Sequence, residues 1–244
     1  TNTKGINMAR RIGILVGAVV VIAAIGAGAF FFLTTPNTDI TDASEGAEQL
    51  EAETAGAVVF TIDPAVSTAE YNIEEVLRGE DFTVVGTTSQ VAGDVLVDLE
   101  NPANSEIGEI RINARDFQTE SSNRDGAVQR FILLSNQDEY EFITFNPTAL
   151  NNMPESVAVG DTIEFEVVGD LTVLDTTREE TFTAEVTLVS ETEIQGSVET
   201  SILYADYGIT IRTPPMVASV EDDVTLKLDF VAMAGDGTSE VTEG

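Results

Sequence analysis

Chemistry in this chain has few side chains to draw on. Cysteine and histidine are both absent, which removes thiolate nucleophiles, disulfides, Ser-His triads and the usual zinc ligand sets. Carboxylate, hydroxyl and arginine chemistry remain. Four of the eleven basic residues, Arg111, Arg115, Arg124 and Arg130, fall within twenty positions. Arginine's planar donor fork suits an anionic or carbonyl group, so Arg115, Arg124 and Arg130 are candidates for the mouth of a binding site. The competing reading of Arg124-Asp125 is an ion pair and helix-start device, with Asp125 near the positive end of a short helix. Adjacent acids such as Asp222-Asp223 and Glu179-Glu180 are not read as catalytic dyads, because adjacency does not supply converging geometry. Asp236-Gly237 lacks the other ligands of a calcium loop. No catalytic residue and no metal ligand is assigned, and the chain is read as a binding protein rather than an enzyme.

The elements that would position these side chains are mostly strands. Ile110, Ile112 and Ala114 alternate with polar neighbours, the period of a half-buried strand. A polar break follows, then Val128, Phe131 and Ile132 at the spacing of a short amphipathic helix. A further strand runs from Phe142 to Leu150. Alternation recurs at Ala69, Tyr71 and Ile73, from Ile163 to Val173, at Phe182, Ala184, Val186 and Leu188, at Ile194, Val198 and Ile202, and from Val224 to Phe230. Thr83 to Leu99 is long and broken by Gly86 and Gly93, which predicts bulges or bends. About eight strands and one short helix predict an all-β antiparallel domain. One apolar face per strand makes a core; on the residues alone, packing is the first explanation of every apolar side chain in it.

In order and spacing, the strand before Arg124-Asp125, the helical turn after it, the strand reading Ile143-Thr144-Phe145, the Gly169-Asp170-Leu171-Thr172-Val173 strand, a Thr-Arg turn and the alternating Thr181 to Leu188 resemble the YceI-like family. The resemblance covers roughly residues 58–232. It implies a lipocalin-like β-barrel whose elongated apolar cavity holds a polyisoprenoid chain: no covalent cofactor, but a bound isoprenoid lipid such as a quinone, carotenoid or polyprenol. Under that implication Ile112, Phe145, Phe165, Val167, Leu171, Phe182 and Phe230 line the cavity, and Arg115, Arg124 and Arg130 meet the head group. The absence of Trp and the many Val, Ile and Ala at inward positions are compatible with a lined space, since a barrel of about eight strands either fills with side chains or encloses one small ligand.

Ile12 to Leu33 is a run of 22 residues without a charge. At about 1.5 Å per residue a helix of that length spans a hydrocarbon core of roughly 30 Å. Lys4, Arg10 and Arg11 precede it, so the positive-inside rule puts residues 1–11 in the cytoplasm and everything after Leu33 outside, periplasmic or extracellular. A cleaved signal peptide ending at Ala27-Gly28-Ala29 is the rival; Phe30-Phe31-Phe32-Leu33 continuing the apolar run argues against it. Residues 34–57 read as an acidic linker that cannot bury enough to stay ordered without a partner. Residues 58–234 are the barrel domain, and 235–244 a polar, frayed tail. A formal net charge of −32 argues against nucleic acid, which is bound by neutralising phosphates with Lys and Arg. The expected partners are the bilayer through 12–33 and an isoprenoid lipid. Further subunits of a membrane complex or a second copy are also open. A second reading makes the barrel a docking module of an accessory subunit.

Overall fold

The structure is a computed structural model that describes residues 39–52, 56–213, 215 and 217–235. The proposed membrane span at 12–33 and the tail from 236 lie outside the described residues. Thirteen strands form one antiparallel sheet. β1 (Ala57–Ile62) and β2 (Thr68–Leu77) are one run broken at Asp63-Pro64, and β3 (Glu80–Thr88), β4 (Val91–Ala92) and β5 (Asp94–Asp98) are another. β6 (Glu106–Ile107) and β7 (Ile110–Asn113) lead through the helical connection to β8 (Phe142–Asn151). β9 (Thr162–Val173), β10 (Thr176–Ser190) and β11 (Glu193–Leu203) follow as a meander, and short β12 (Val217–Val220) precedes β13 (Asp223–Ala234). The expected number of about eight strands thus corresponds to the long runs, with interruptions raising the count of segments.

The sheet curls where β13, paired along one edge with β11, divides its other edge between two strands. Its Thr225–Asp229 stretch pairs with β2, and its Ala232–Ala234 stretch pairs with β1. β5 pairs with β1, β3 with β2, and β4, lying between them in the chain, pairs with β7. The hydrogen-bonded path therefore returns towards its start across a seam only two residue pairs long, Val91 with Ile112 and Ala92 with Arg111. Such curvature needs close backbone approach, and Gly93 permits it: a Cβ there would sit 2.5 Å from Ile110 Cδ1. Gly86 does not interrupt β3, contrary to expectation. Its missing side chain makes room for the Tyr71 ring on the neighbouring strand.

The helical connection also departs from expectation. α1 (Ser122–Ala127) runs into a π-helical turn at Val128–Ile132, closed by Leu133 N–H donating to Val128 O at 2.8 Å. The wider turn breaks the three- and four-residue spacing that would put Phe131 on the same face as Val128 and Ile132. Val128 is buried, and Phe131 is 74% exposed. The turn expected at Thr177-Arg178 falls earlier, at Leu174–Asp175, and Leu174 takes the left-handed backbone (φ 54°) that the reversal needs.

The acidic segment before the domain is not free over its described part. Thr41 N–H donates to Glu141 Oε1 (2.9 Å), Asn113 Nδ2 donates to Thr41 O (2.7 Å), and Leu50 N–H donates to Asp94 Oδ2 (3.1 Å). Ala43 is buried. Asp39 to Leu50 therefore lies as a strap over the β4–β7 seam. Local composition reads as a mobile tether because every holding contact comes from a residue more than forty positions away.

Candidate functional site

The inward face of the curled sheet encloses a cavity of about 800 Å³. Its wall is made by alternate residues of β2, β7, β8, β9, β10, β11 and β13. Two groups of buried side chains flank it, one around Phe60, Leu188, Ile194 and Phe230, the other around Phe165, Val167, Phe182 and Ile202. Between them Ile73, Val198 and Leu226 stay only half-buried although they face inward. Val198 and Leu226 also pack against these groups, so they border the space as well as other side chains. All seven inward candidates, Ile112, Phe145, Phe165, Val167, Leu171, Phe182 and Phe230, stand on this wall. Phe145 and Phe182 meet with ring centroids 4.7 Å apart, a favoured tilted aromatic contact. Gly169 seats Phe145, because a Cβ there would come within 2.8 Å of its Cζ and 2.5 Å of Asn146 O.

The arginine cluster divides. Arg124 reaches the wall: its Nη2 lies 3.1 Å from Glu75 Oε1, its Nη1 pairs with Glu120, and its guanidinium carbon sits 5.7 Å from the Phe82 ring centroid. Asp125 does not pair with it but accepts hydrogen bonds from Thr119 N and Oγ1 (2.9 and 2.7 Å). Arg115 is not at the cavity. Buried, it donates from Nε to Ser135 O (2.5 Å) and from Nη1 to Asp39 O (2.9 Å), and it pairs with Asp138 (2.6 Å) and Glu141 (2.7 Å). Asn113, the last residue of β7, and Arg115 just beyond it are both off the cavity wall, and their side chains serve the strap. Arg130 is exposed and off the wall. Arg111 faces outward, 3.6 Å over the Phe142 ring.

Among the polar residues on the wall that sequence reasoning did not assign to it are Tyr71, Glu75, Arg78 and Arg212. Glu75 was findable, since the alternation Ala69, Tyr71, Ile73 carried one step further puts a carboxylate on the apolar face of β2. Its side chain is 8% exposed. The Tyr71 ring packs edge-on against Phe117 at 5.2 Å, and burial, then the negative charge of Asp125, push its phenol up to about 12. It is a protonated donor across the ordinary pH range. Arg78 and Arg212 sit in exposed connections, which no strand pattern flags.

The acids set aside as dyads hold structure. Glu180 accepts from the buried Tyr207 hydroxyl at 2.8 Å, and Asp222 from the Tyr204 hydroxyl at 3.4 Å. Among the described residues no three acids converge as metal ligands.

A curled antiparallel sheet around one apolar space, crossed by a short helix between β7 and β8, is a lipocalin-like architecture. The YceI-like domain pattern matches residues 60–232, and the chain belongs to that family. Two solved structures share the fold. A polyisoprenoid binding domain from Saccharophagus degradans, described as implicated in plant cell wall breakdown, superposes with a TM-score of 0.58 at 15% identity over 73% of this chain and 99% of that one. BcnA of Burkholderia cenocepacia gives 0.55 at 17% identity over 70% and 98%. At these identities the likeness is one of fold. No curated protein matches the chain in sequence.

Proposed function

We propose that this chain is a membrane-anchored, outward-facing binding protein that holds an isoprenoid-type lipid, a quinone, carotenoid or polyprenol, without catalysis. The observation that carries the reading is the apolar cavity of about 800 Å³, inside the range of roughly 300–1,000 Å³ of sites that bury one organic ligand. The name of the Saccharophagus domain, which states that it binds polyisoprenoid, points the same way. Anchoring rests on the uncharged run at 12–33.

The wall also speaks to the head group. Arg124 already faces Glu75 and Glu120, so an anionic head placed there would meet two carboxylates at close range. A neutral carbonyl or hydroxyl head avoids that repulsion and can accept from the Tyr71 phenol, whose proton stays on to about pH 12. A quinone or free polyprenol fits this better than a phosphorylated lipid. The test is extraction of the full-length protein from its native membrane, followed by mass spectrometry of the solvent-extracted ligand. A stoichiometric neutral isoprenoid is the expected result. An empty protein, or one carrying only bulk phospholipid, would overturn the reading.

A further inference from the structure

We infer that Glu75 reads the ligand's head group as a hydrogen-bond donor, so that the lipid held is an isoprenoid alcohol in preference to a quinone. The inference deepens the isoprenoid reading above and rests on it.

β2 brings the carboxylate to the cavity. Ala69, Tyr71, Ile73, Glu75 and Leu77 alternate along the strand and all stand on the wall, as a period of two requires. Glu75 stands opposite Phe82 on β3 and Val220 on β12, and Val220 is itself part of the wall. Arg124 reaches in from α1, its Nη2 3.1 Å from Glu75 Oε1. A buried carboxylate among apolar side chains is costly unless it is paired. The pair with Arg124 satisfies one of its two oxygens.

The other oxygen is open. Glu75 Oε2 accepts a hydrogen bond from no described residue. Nor is it sealed off: among the described residues, the buried side-chain nitrogen and oxygen atoms left without a partner are Arg111 Nε and Asn136 Oδ1. Oε2 therefore keeps accessible surface, on a residue that lines the cavity.

An ionised carboxylate accepts and cannot donate. The phenol of Tyr71 and the guanidinium groups of Arg78, Arg124 and Arg212, all on the wall, can donate. Donors serve any oxygen-bearing head alike, so they do not tell one from another. Glu75 Oε2 does. A hydroxyl gives its proton to Oε2 and turns its lone pairs to Arg124, which has N–H groups beyond the two that meet Glu75 and Glu120. A quinone carbonyl or an ether oxygen has no proton to give and sets its lone pairs against the carboxylate. A site whose buried polar group is left unpaired by the wrong ligand discriminates more strongly than one that only measures size.

The test uses three probes with one prenyl tail: a polyprenol, its methyl ether and the corresponding benzoquinone. The full-length protein, stripped of lipid in detergent, is equilibrated with an equimolar mixture of the three, and the bound fraction is read by mass spectrometry. The ether isolates the proton, since tail and oxygen are common to it and the alcohol. The expected result is an enrichment of the alcohol by about tenfold or more over both others, the effect of one hydrogen bond to a charged group. Glu75→Gln and Glu75→Met, in each of which Arg124 keeps Glu120 as counter-charge, should bring the three probes to within about threefold of one another. The comparison is made in whichever of the two melts cooperatively. If the parent takes up all three probes about equally, the assignment to Glu75 is wrong while isoprenoid binding stands. A preference for the alcohol that persists without the carboxylate also overturns it. If the parent takes up none of the three, the isoprenoid reading fails, and this inference fails with it.

Discussion

Arg115 Nη1 lies 2.7 Å from Glu141 Oε2, with both side chains less than a tenth exposed, and each partner also holds the strap. Glu141 accepts from Thr41 N–H and from Asn113, while Arg115 donates to Asp39 O. One buried ion pair thus joins the β7–β8 connection to a segment some seventy residues or more away in sequence.

Breaking that pair from one side should be costly. Arg115→Met leaves Glu141 buried without its cation, a change expected to cost about 3–5 kcal/mol. Denaturant unfolding of the barrel measures it, and limited proteolysis within 39–50 reports release of the strap. The double variant with Glu141→Gln should recover part of the loss. A single-variant cost of under about 1 kcal/mol, the level of an exposed pair, would mean that Arg115 does not hold the strap.

Acid should act on the same contact. Burial by itself would raise the Glu141 carboxyl, but hydrogen bonds from Thr41 and Asn113 and the charge of Arg115 hold it below its ordinary value of 4.5. A group depressed in the folded state contributes stability that is complete above its unfolded value and is lost as pH falls through the folded one. The stability difference between the parent and Glu141→Gln is therefore expected to be level from neutral pH down to about 5 and to shrink below 4.5. A difference that stays constant through that acid range would show that the fold does not depress the Glu141 carboxyl.

Tyr71 offers a test of the head-group reading. Tyr71→Phe removes only the hydroxyl from a ring seated over Gly86, so the melt of the lipid-free barrel should barely move. Loss of one hydrogen bond of about 0.5–1.5 kcal/mol should weaken a quinone or polyprenol by up to roughly tenfold in Kd, and should leave a hydrocarbon carotenoid unaffected. Gly86→Ala is the structural counterpart: a Cβ 2.2 Å from Tyr71 Cε1 must displace the ring, at about 1–3 kcal/mol.

What could be read from sequence follows the range of the interactions. Alternation placed β9, β10 and β13 and brought all seven apolar candidates to the wall, because period two sets the face of each residue locally. The polar side chains divide differently. Arg115 and Arg124 are nine residues apart, yet one is buried under the strap and the other faces the cavity. Their surroundings come from Asp39, Glu75 and Glu141, which no local pattern brings near. Phe131 failed for a third reason. Helical spacing assumes an α turn, and the π turn at Val128–Ile132 puts Phe131 out while Val128 stays in.

The cavity itself is tested at Val167. It is 3% exposed, stands on the wall and lies opposite Phe182 on β10 and Leu150 on β8. Val167→Trp projects a large ring into whatever lies inside. If the interior is open space, the ring enters it, the lipid-free barrel melts near the parent temperature, and isoprenoid no longer co-purifies. Apolar burial worth about 25 cal/mol per Å² drives the lipid's entry, so filling the space removes the driving force along with the room. If the interior closes up in solution, the same ring overpacks it, at roughly 1–3 kcal/mol or more, and the melt falls. The two readouts on one variant separate the cases: lost lipid with an unchanged melt identifies a carrier cavity. A depressed melt in a protein whose parent carries no lipid would identify a packed core, and the binding reading would fail with it.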